Sequence, residues 1–595
     1  MHFRPLSDPW RRIGCVRVAV VPGSAGTTLL CELSADGSQH RRSVKTADLA
    51  AVVAGYERGG DPGLRWVWSS GAHDYPVLLR AGTRVARCHD VALVERLLLA
   101  RDGRGDEPAS LAAAHARLRG EPPPAEREPE TPVGGPADLQ GALFESADDA
   151  AADPGATLEA LIAVHADQLR RIAADEHPGR FGALAAAESA GGLAAAEMTS
   201  AGMPWRADVH DELLAGMLGP RPPAALAGTR PARLTELAGQ ISAALGGRPV
   251  NPDSPTQLVR ALATAGVRVT STRTAVLREI DHPAIPPLLE YKELSRLHAA
   301  HGWAWLDSWV RDGRFRPEYV VGGVVSGRWA SRGGGALQIP RVLRRAVVAD
   351  PGWVLVVADA AQLEPRVLAA LAGDRAFAEA AAGGDLYQAL ASAFGGDRAK
   401  AKLALLSAMY GGAGGEAGQL LAVLRRRFPA ASGYVEAAAR AGEEGRVVRS
   451  VLGRTCPPPS AAWRALTEEA GDADSERDPG AGRASRARGR FTRNFVVQAS
   501  AADWALVLLA ALRRRLAALP GGSQGAPDGR PDPLAPHLVF FQHDEVLVHC
   551  PEALAPAVVD AVAESAAEAG RALFGRTLVR FPMTTAVVGC YADAK

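Results

Sequence analysis

Apolar and polar positions alternate in short bursts over the first hundred residues. VRVAVV, TTLLCEL, LRWVWSS and YPVLLR are separated by turn residues and followed by the helical run DVALVERLLLA. Strand-like runs closed by a helix predict a small α/β domain. Residues 101–155, from RDGRGDEP through EPPPAEREPETPVGGP, are rich in Pro, Gly and charge and read as a mobile insertion or linker. From about 156 the spacing turns helical (LEALIAVHADQLRRIAA, then LAAAESAGGLAAAEM) and stays largely helical to about 300. Strand signals return at EYVVGGVV and WVLVVAD. A helical stretch covers 366–445, and a second charged, Gly-rich insert is expected at about 468–490. A last helix, SAADWALVLLAALRRRLAAL, precedes an apolar hairpin around His543, Asp544 and Glu545. No repeat of fixed period is visible.

A chain of 595 residues is too long for one core and should divide into several domains. The formal net charge of +1 argues neither for nor against nucleic acid, since a large protein can be neutral overall and basic along one groove. No apolar run is read as reaching the roughly 18 residues a membrane helix needs. MHFRPLSDPWRRIG lacks the apolar core of a signal peptide. Six cysteines (Cys15, Cys31, Cys88, Cys456, Cys550, Cys590) form no CxxC and read as free thiols of a reducing cytoplasm, without structural zinc.

Two segments carry the chemistry. In WVLVVADAAQLEPR, the β-branched run Val354–Val357 ends at Asp359, and Leu363, Val367, Leu368 and Leu371 then share one helical face. Pro365 is tolerated in the first turn of that helix, where its missing N–H is not needed. Taken alone, such an aspartate is most simply a helix N-cap. In HLVFFQHDEVLVHC two apolar runs flank Gln542, His543, Asp544 and Glu545, a hairpin with a polar tip. Taken alone, that tip is as readily an exposed turn. Two strand-end aspartates that converge would instead hold two divalent cations for in-line phosphoryl chemistry.

Together these segments resemble motifs A and C of the family A DNA polymerases: Asp359, Gln362, Glu364 and Arg366 for the first, His543, Asp544 and Glu545 for the second. DRAKAKLALLSAMYGG supplies Arg398, Lys402, Tyr410 and Gly411 at the spacing of the family's fingers helix. SGRWASRGGGALQIP is similar to its palm segment, with Arg328 at the minor-groove arginine, and RFTRNFVVQASAAD supplies Arg490, Asn494 and Gln498. EMTSAGMPW, NPDSPTQLVRAL and LLEYKELSRL follow the family's order upstream, so the resemblance covers about 190–595.

The resemblance implies a DNA-templated DNA polymerase acting on primer–template DNA and dNTPs, in repair or gap filling. It implies two Mg²⁺ ions on Asp359, Asp544 and the Ala360 carbonyl, with Glu545 in support. Arg398 and Lys402, one turn apart, would meet the triphosphate, and Tyr410 the templating base pair. Glu364 would wall off the ribose 2′ position, Gln362 would contribute to the substrate side, and His543 would position the primer terminus. Arg328, Arg490, Asn494 and Gln498 would touch primer–template, partly through minor-groove acceptors. Leu406 stands where the family has an aromatic residue against the sugar, followed by Ser407 in place of the usual Gly, and Ala360 replaces a bulkier residue. These departures point to altered sugar discrimination. The clusters Arg425–Arg427 and Arg513–Arg515 could meet phosphates, but as solvated helix faces they need no such role.

The implied architecture is a multidomain α/β chain. A degenerate RNase H-like, 3′–5′ exonuclease-type domain (1–185, with the 101–155 insertion) precedes a right-hand polymerase (186–595). Its thumb is expected at about 205–300, its palm, with an antiparallel sheet, at about 186–204, 301–383 and 530–595, and its helical fingers at about 384–529. Asp74, Asp90 and Asp167 are the carboxylates offered for a surviving exonuclease. VRVAVVPGSAG lacks the family's Asp-x-Glu and His165 stands where an aspartate is expected, so the expectation is a scaffold without proofreading. The alternatives are an enzyme that still proofreads and an inactive DNA-binding scaffold. A monomeric, cytoplasmic, nucleoid-associated protein without membrane contact completes the expectation.

Overall fold

The computed structural model describes residues 15–34, 37–59, 61, 63–125, 153–223, 228–332, 335, 339–411, 416–472, 479–520 and 535–594. The N-terminal unit is built on strands β1 (Cys15–Pro22), β2 (Thr27–Ser34), β3 (Gln39–Lys45), β4 (Arg65–Trp68) and β5 (Cys88–Asp90), in the order β3-β2-β1-β4-β5. β1 pairs antiparallel with β2 and parallel with β4. Alternation along β1 explains its two buried faces: Val18 packs with Trp66, Trp68 and Tyr75, whereas Ala19 and Val21 pack with Leu158, Leu161 and Val164 of the Pro154–Ala173 helix.

The expected linker over 101–155 is corrected in its first part. Residues Leu111–Leu118 form a helix, capped by the Ser110 hydroxyl accepting from the Ala113 amide at 3.3 Å, with Ala113, Ala114 and Ala116 buried. A capping serine and three apolar alanines outweigh the Gly and charge around them. The rest of that expectation, 126–152, lies outside the described residues.

The helix Pro178–Ala201 joins the N-terminal unit to everything after it. Small residues let it sit between two layers: a Cβ at Gly191 would meet Leu506 Cδ2 at 2.7 Å, and one at Gly192 would meet Leu93 Cδ1 at 3.0 Å. Buried charges tie it down on both sides. The Arg513 guanidinium donates to Glu197 (2.6 and 2.8 Å) and to the Ala86 and Val85 carbonyls, while Tyr75 donates to Glu197 at 2.5 Å. Arg454 donates to Glu188 at 2.7 Å and to Asp503 at 3.2 Å.

Short strands β6 (Met203–Pro204), β7 (Val310–Arg311) and β8 (Arg314–Phe315) form one small sheet, and β9 (Glu318–Val320) pairs with β10 (Ala330–Arg332). The helices between 207 and 309 enclose their own core around Trp205, Leu237, Leu258 and Tyr291. The central sheet comprises β11 (Trp353–Ala360), β12 (His537–Gln542), β13 (Glu545–Pro551) and β14 (Met583–Val588), antiparallel in the order β12-β13-β11-β14. β11 is a continuous apolar run because both faces are covered. Val356 and Ala358 join the core of the helices Ala555–Phe574 and Pro479–Ala518, and Leu355 and Val357 join the 207–309 core.

Two further expectations change. Residues 479–490, assigned to a Gly-rich insert, open the 40-residue helix Pro479–Ala518, while 473–478 lie outside the described residues. Glycine serves close packing here: a Cβ at Gly489 would meet Ala439 O at 3.0 Å and Glu443 Cγ at 2.7 Å on the neighbouring helix Pro429–Glu443. Within Gly480–Ala518 there is also a stretch long and apolar enough to cross a membrane, which the sequence reading did not credit. It is 83% buried inside the protein, as a core helix is.

Candidate active site

The two aspartates converge. β11 and β13 place Asp359 directly opposite Glu545, and β12 pairs Gln542 with Glu545, which leaves His543 and Asp544 as the hairpin turn. His543 adopts φ 57°, the left-handed conformation a two-residue hairpin demands. The Ala360 amide donates to the Asp544 carbonyl at 3.1 Å, so the turn is fastened to the end of β11. Burial raises the Asp544 carboxyl to about 7, and the facing Asp359 adds to that shift. The helix after β11, Leu363–Ala372, has Gln362 as its N-terminal flank, so Asp359 is not its cap.

Glu545 is buried, and its Oε1 accepts the hydroxyl proton of Tyr591. Glu364 bridges three parts of the chain: its carboxylate accepts from Arg328 and from Tyr410 at 2.5 Å. Burial and that carboxylate push the Tyr410 phenol up to about 12. Burial lowers the His543 imidazole, and Arg328 nearby lowers it further. Arg328, Gln362, Glu364, His543 and Asp544 line a single open groove.

The helix Arg398–Tyr410 presents positions 398, 402, 406 and 410 at i, i+4 spacing. Arg398 donates to Asp385 at 2.7 Å and lies over the Tyr387 ring at 5.4 Å. Asp385 also accepts from Gln362 Nε2 at 2.8 Å, which links this helix to the end of β11. Lys402 is exposed, and Leu406 packs partly buried against the main core. The helix ends at Gly411 with φ 79°, where a Cβ would meet Arg490 Cγ at 2.9 Å. Arg490, Asn494 and Gln498 follow one another at four-residue spacing along the helix Pro479–Ala518, and Gln498 reaches the Tyr410 hydroxyl. Among the described residues the buried Asn494 Oδ1 has no hydrogen-bond partner.

The structure adds residues that the sequence reading did not assign. Asp385 looks like an ordinary helix cap in GGDLYQAL, and Tyr591 sits four residues from the end with no pattern around it. Arg366 was only a motif position. Its guanidinium is buried and donates to the carbonyls of Ala361, Ala381, Gly383, Gly384 and Arg580, which fixes the β11–helix junction. Arg513, Arg514 and Arg515 are all committed to ion pairs with Glu197, Glu564 and Glu568.

Of the N-terminal carboxylates, Asp74 and Asp90 lie close together: burial raises the Asp90 carboxyl to about 6, and Asp74 adds to that shift. Asp90 accepts from the Gly71 (2.7 Å) and Leu93 (3.0 Å) amides, Asp74 from Ser69 (3.0 Å), and Asp167 pairs with Arg170 and Arg171. His165 packs edge-on against His89, centroids 4.7 Å apart.

A family model described as DNA polymerase family A matches residues 225–581. The chain belongs to that family. It is 27% identical over 358 residues to the thermostable DNA polymerase I of Thermus filiformis, covering 52% of this chain and 38% of that protein. It is 28% identical over 319 residues to DNA polymerase I of Chloroflexus aurantiacus, covering 49% of this chain and 31% of that protein. The chain thus spans well under half the length of the curated relatives it matches. The solved structure "POL domain of Pol1 from M. smegmatis complex with DNA primer-template and dNTP" shares the fold, with a TM-score of 0.67 at 19% identity over 97% of this chain and 95% of that one.

Proposed function

We propose that this family A member is a DNA-templated DNA polymerase that extends a primer 3′-hydroxyl with dNTPs, serving repair or gap filling. The observation that carries the reading is the convergence of Asp359 and Asp544, fastened by the Ala360–Asp544 backbone hydrogen bond.

The donor set fits divalent cations. Burial and the nearby Asp359 both disfavour charge on Asp544, a situation a cation relieves. Asp359, Asp544 and the Ala360 carbonyl would hold two Mg²⁺ ions, which supply Lewis-acid activation of the attacking hydroxyl and neutralise the triphosphate.

The chain's own residues do the rest. Arg398 and Lys402 bind the triphosphate by charge-assisted hydrogen bonds, Arg398 exchanging Asp385 for phosphate oxygens. Glu364, held by Arg328 and Tyr410, forms the wall beside the sugar 2′ position. His543 at the turn orients the primer end. The 490–494–498 row and Arg328 face primer–template. In this layout 205–300 is the thumb, 384–529 the fingers, and the central sheet the palm.

The N-terminal unit is read as an exonuclease-type scaffold without proofreading. Asp74, Asp90 and Asp167 are engaged by amides, hydroxyls or arginines, and Ala19 and Val21 of β1 contribute apolar packing rather than ligands. Extension of a recessed primer, its loss in Asp544→Ala, and the absence of 3′ trimming of a mismatched primer test the reading.

A further inference from the structure

We infer that Tyr591 is a positioning residue of the catalytic centre, acting through Glu545; the inference rests on the polymerase reading. Asp359 and Glu545 are opposed across β11 and β13 and so lie side by side on one face of the sheet. A buried carboxylate beside a second acid needs a donor that adds no charge, because a cationic partner would compete with the bound metal for both. Tyr591 meets that need: its hydroxyl donates to Glu545 Oε1 from a fully buried ring.

Backbone bonds hold this segment, and a cation covers the ring. The Arg344 guanidinium lies 4.4 Å over it, the Tyr591 amide donates to the Val347 carbonyl at 2.9 Å, and the Ala349 amide donates to Gly589 at 2.8 Å. The short turn Tyr591–Ala594, near the end of the chain, is thereby part of the active-site framework. Outer partners that orient carboxylates at metal sites commonly change metal affinity by about 10–100-fold when removed. Fixing Glu545 keeps Asp359 in place across the ladder.

Tyr591→Phe in the full chain tests this, because it keeps the ring under Arg344 and removes only the hydroxyl. Mn²⁺ affinity without nucleotide, read by electron paramagnetic resonance, is expected to weaken about tenfold. The single-nucleotide extension rate should fall with it while KM for dNTP stays near wild type. In a Glu545→Gln background the same change should add nothing. Unchanged Mn²⁺ affinity in Tyr591→Phe, or equal losses in both backgrounds, overturns the inference. If the wild-type chain does not extend primers, the polymerase reading falls, while Mn²⁺ binding still decides the role of Tyr591. Should Tyr591→Phe not fold, Arg344→Met, which frees the ring and leaves the hydroxyl, is expected to weaken Mn²⁺ binding in the same direction, and wild-type affinity there overturns it.

Discussion

The Tyr410 hydroxyl donates to the Glu364 carboxylate at 2.5 Å, joining the end of the Arg398–Tyr410 helix to the first turn after β11. One carboxylate thereby ties the Arg398–Tyr410 helix to the end of β11, with Arg328 on its other oxygen.

Glu364→Ala removes this bridge and, on the proposed function, the wall beside the sugar. The ratio of kcat/KM for dNTP to that for the matching rNTP should fall at least about tenfold, the scale of one charge-assisted hydrogen bond and a steric block. Single-nucleotide kinetics with dCTP and CTP opposite template dG measure it.

Asp544 makes metal-free stability depend on pH. Its folded value near 7 lies above the ordinary 3.8, so the folded state binds the proton more tightly. The stabilisation from that proton is complete below the unfolded value and is lost as pH rises through about 7. Thermal unfolding in EDTA should therefore decline between pH 5.5 and 8 in wild type and decline less in Asp544→Asn. Added Mg²⁺ should stabilise wild type more at pH 8 than at pH 5.5, where it must displace a proton.

Gly442 and Gly433 lie on one helix, Pro429–Glu443, yet should respond oppositely to alanine. A Cβ at 442 would meet Thr492 Oγ1 at 2.1 Å, whereas at 433 nothing lies within 4 Å. Gly442→Ala should cost about 1–3 kcal/mol by forcing the helices apart. Gly433→Ala should stabilise by about 0.5–1 kcal/mol through helix propensity. Denaturant melts of the two variants decide.

Arg513→Ala strands the buried Glu197 and releases two carbonyls of the N-terminal unit. A loss of about 3–5 kcal/mol is expected. Hydrogen exchange should locate it at the helix Pro178–Ala201, which this arginine ties to both neighbours.

Much of this was legible in the chain. The β-branched run before Asp359 and the polar break in HLVFFQHDEVLVHC announced strand ends, because burial on both sides of a sheet leaves a continuous apolar signature. The 398–410 and 490–498 rows came from the resemblance to family A polymerases, and helix geometry then put Arg398 and Lys402 on one face. What stayed hidden depends on partners distant in sequence. Tyr591 acquires its role from Glu545, Arg366 from carbonyls up to 214 positions away, and Gly489 from a neighbouring helix. Glycine and charge near 480 suggested a loop because helix packing that needs glycine has no local mark.

Templated incorporation tests the central claim most directly. Wild type and Asp544→Ala are each given one primer annealed to four templates that differ only in the first unpaired base, with Mg²⁺ and one dNTP at a time. The account predicts that wild type adds the complementary nucleotide on each template and that Asp544→Ala falls by at least about a thousandfold, consistent with loss of electrostatic transition-state stabilisation. Incorporation that ignores the template base, no incorporation by wild type, or full activity in Asp544→Ala would contradict it.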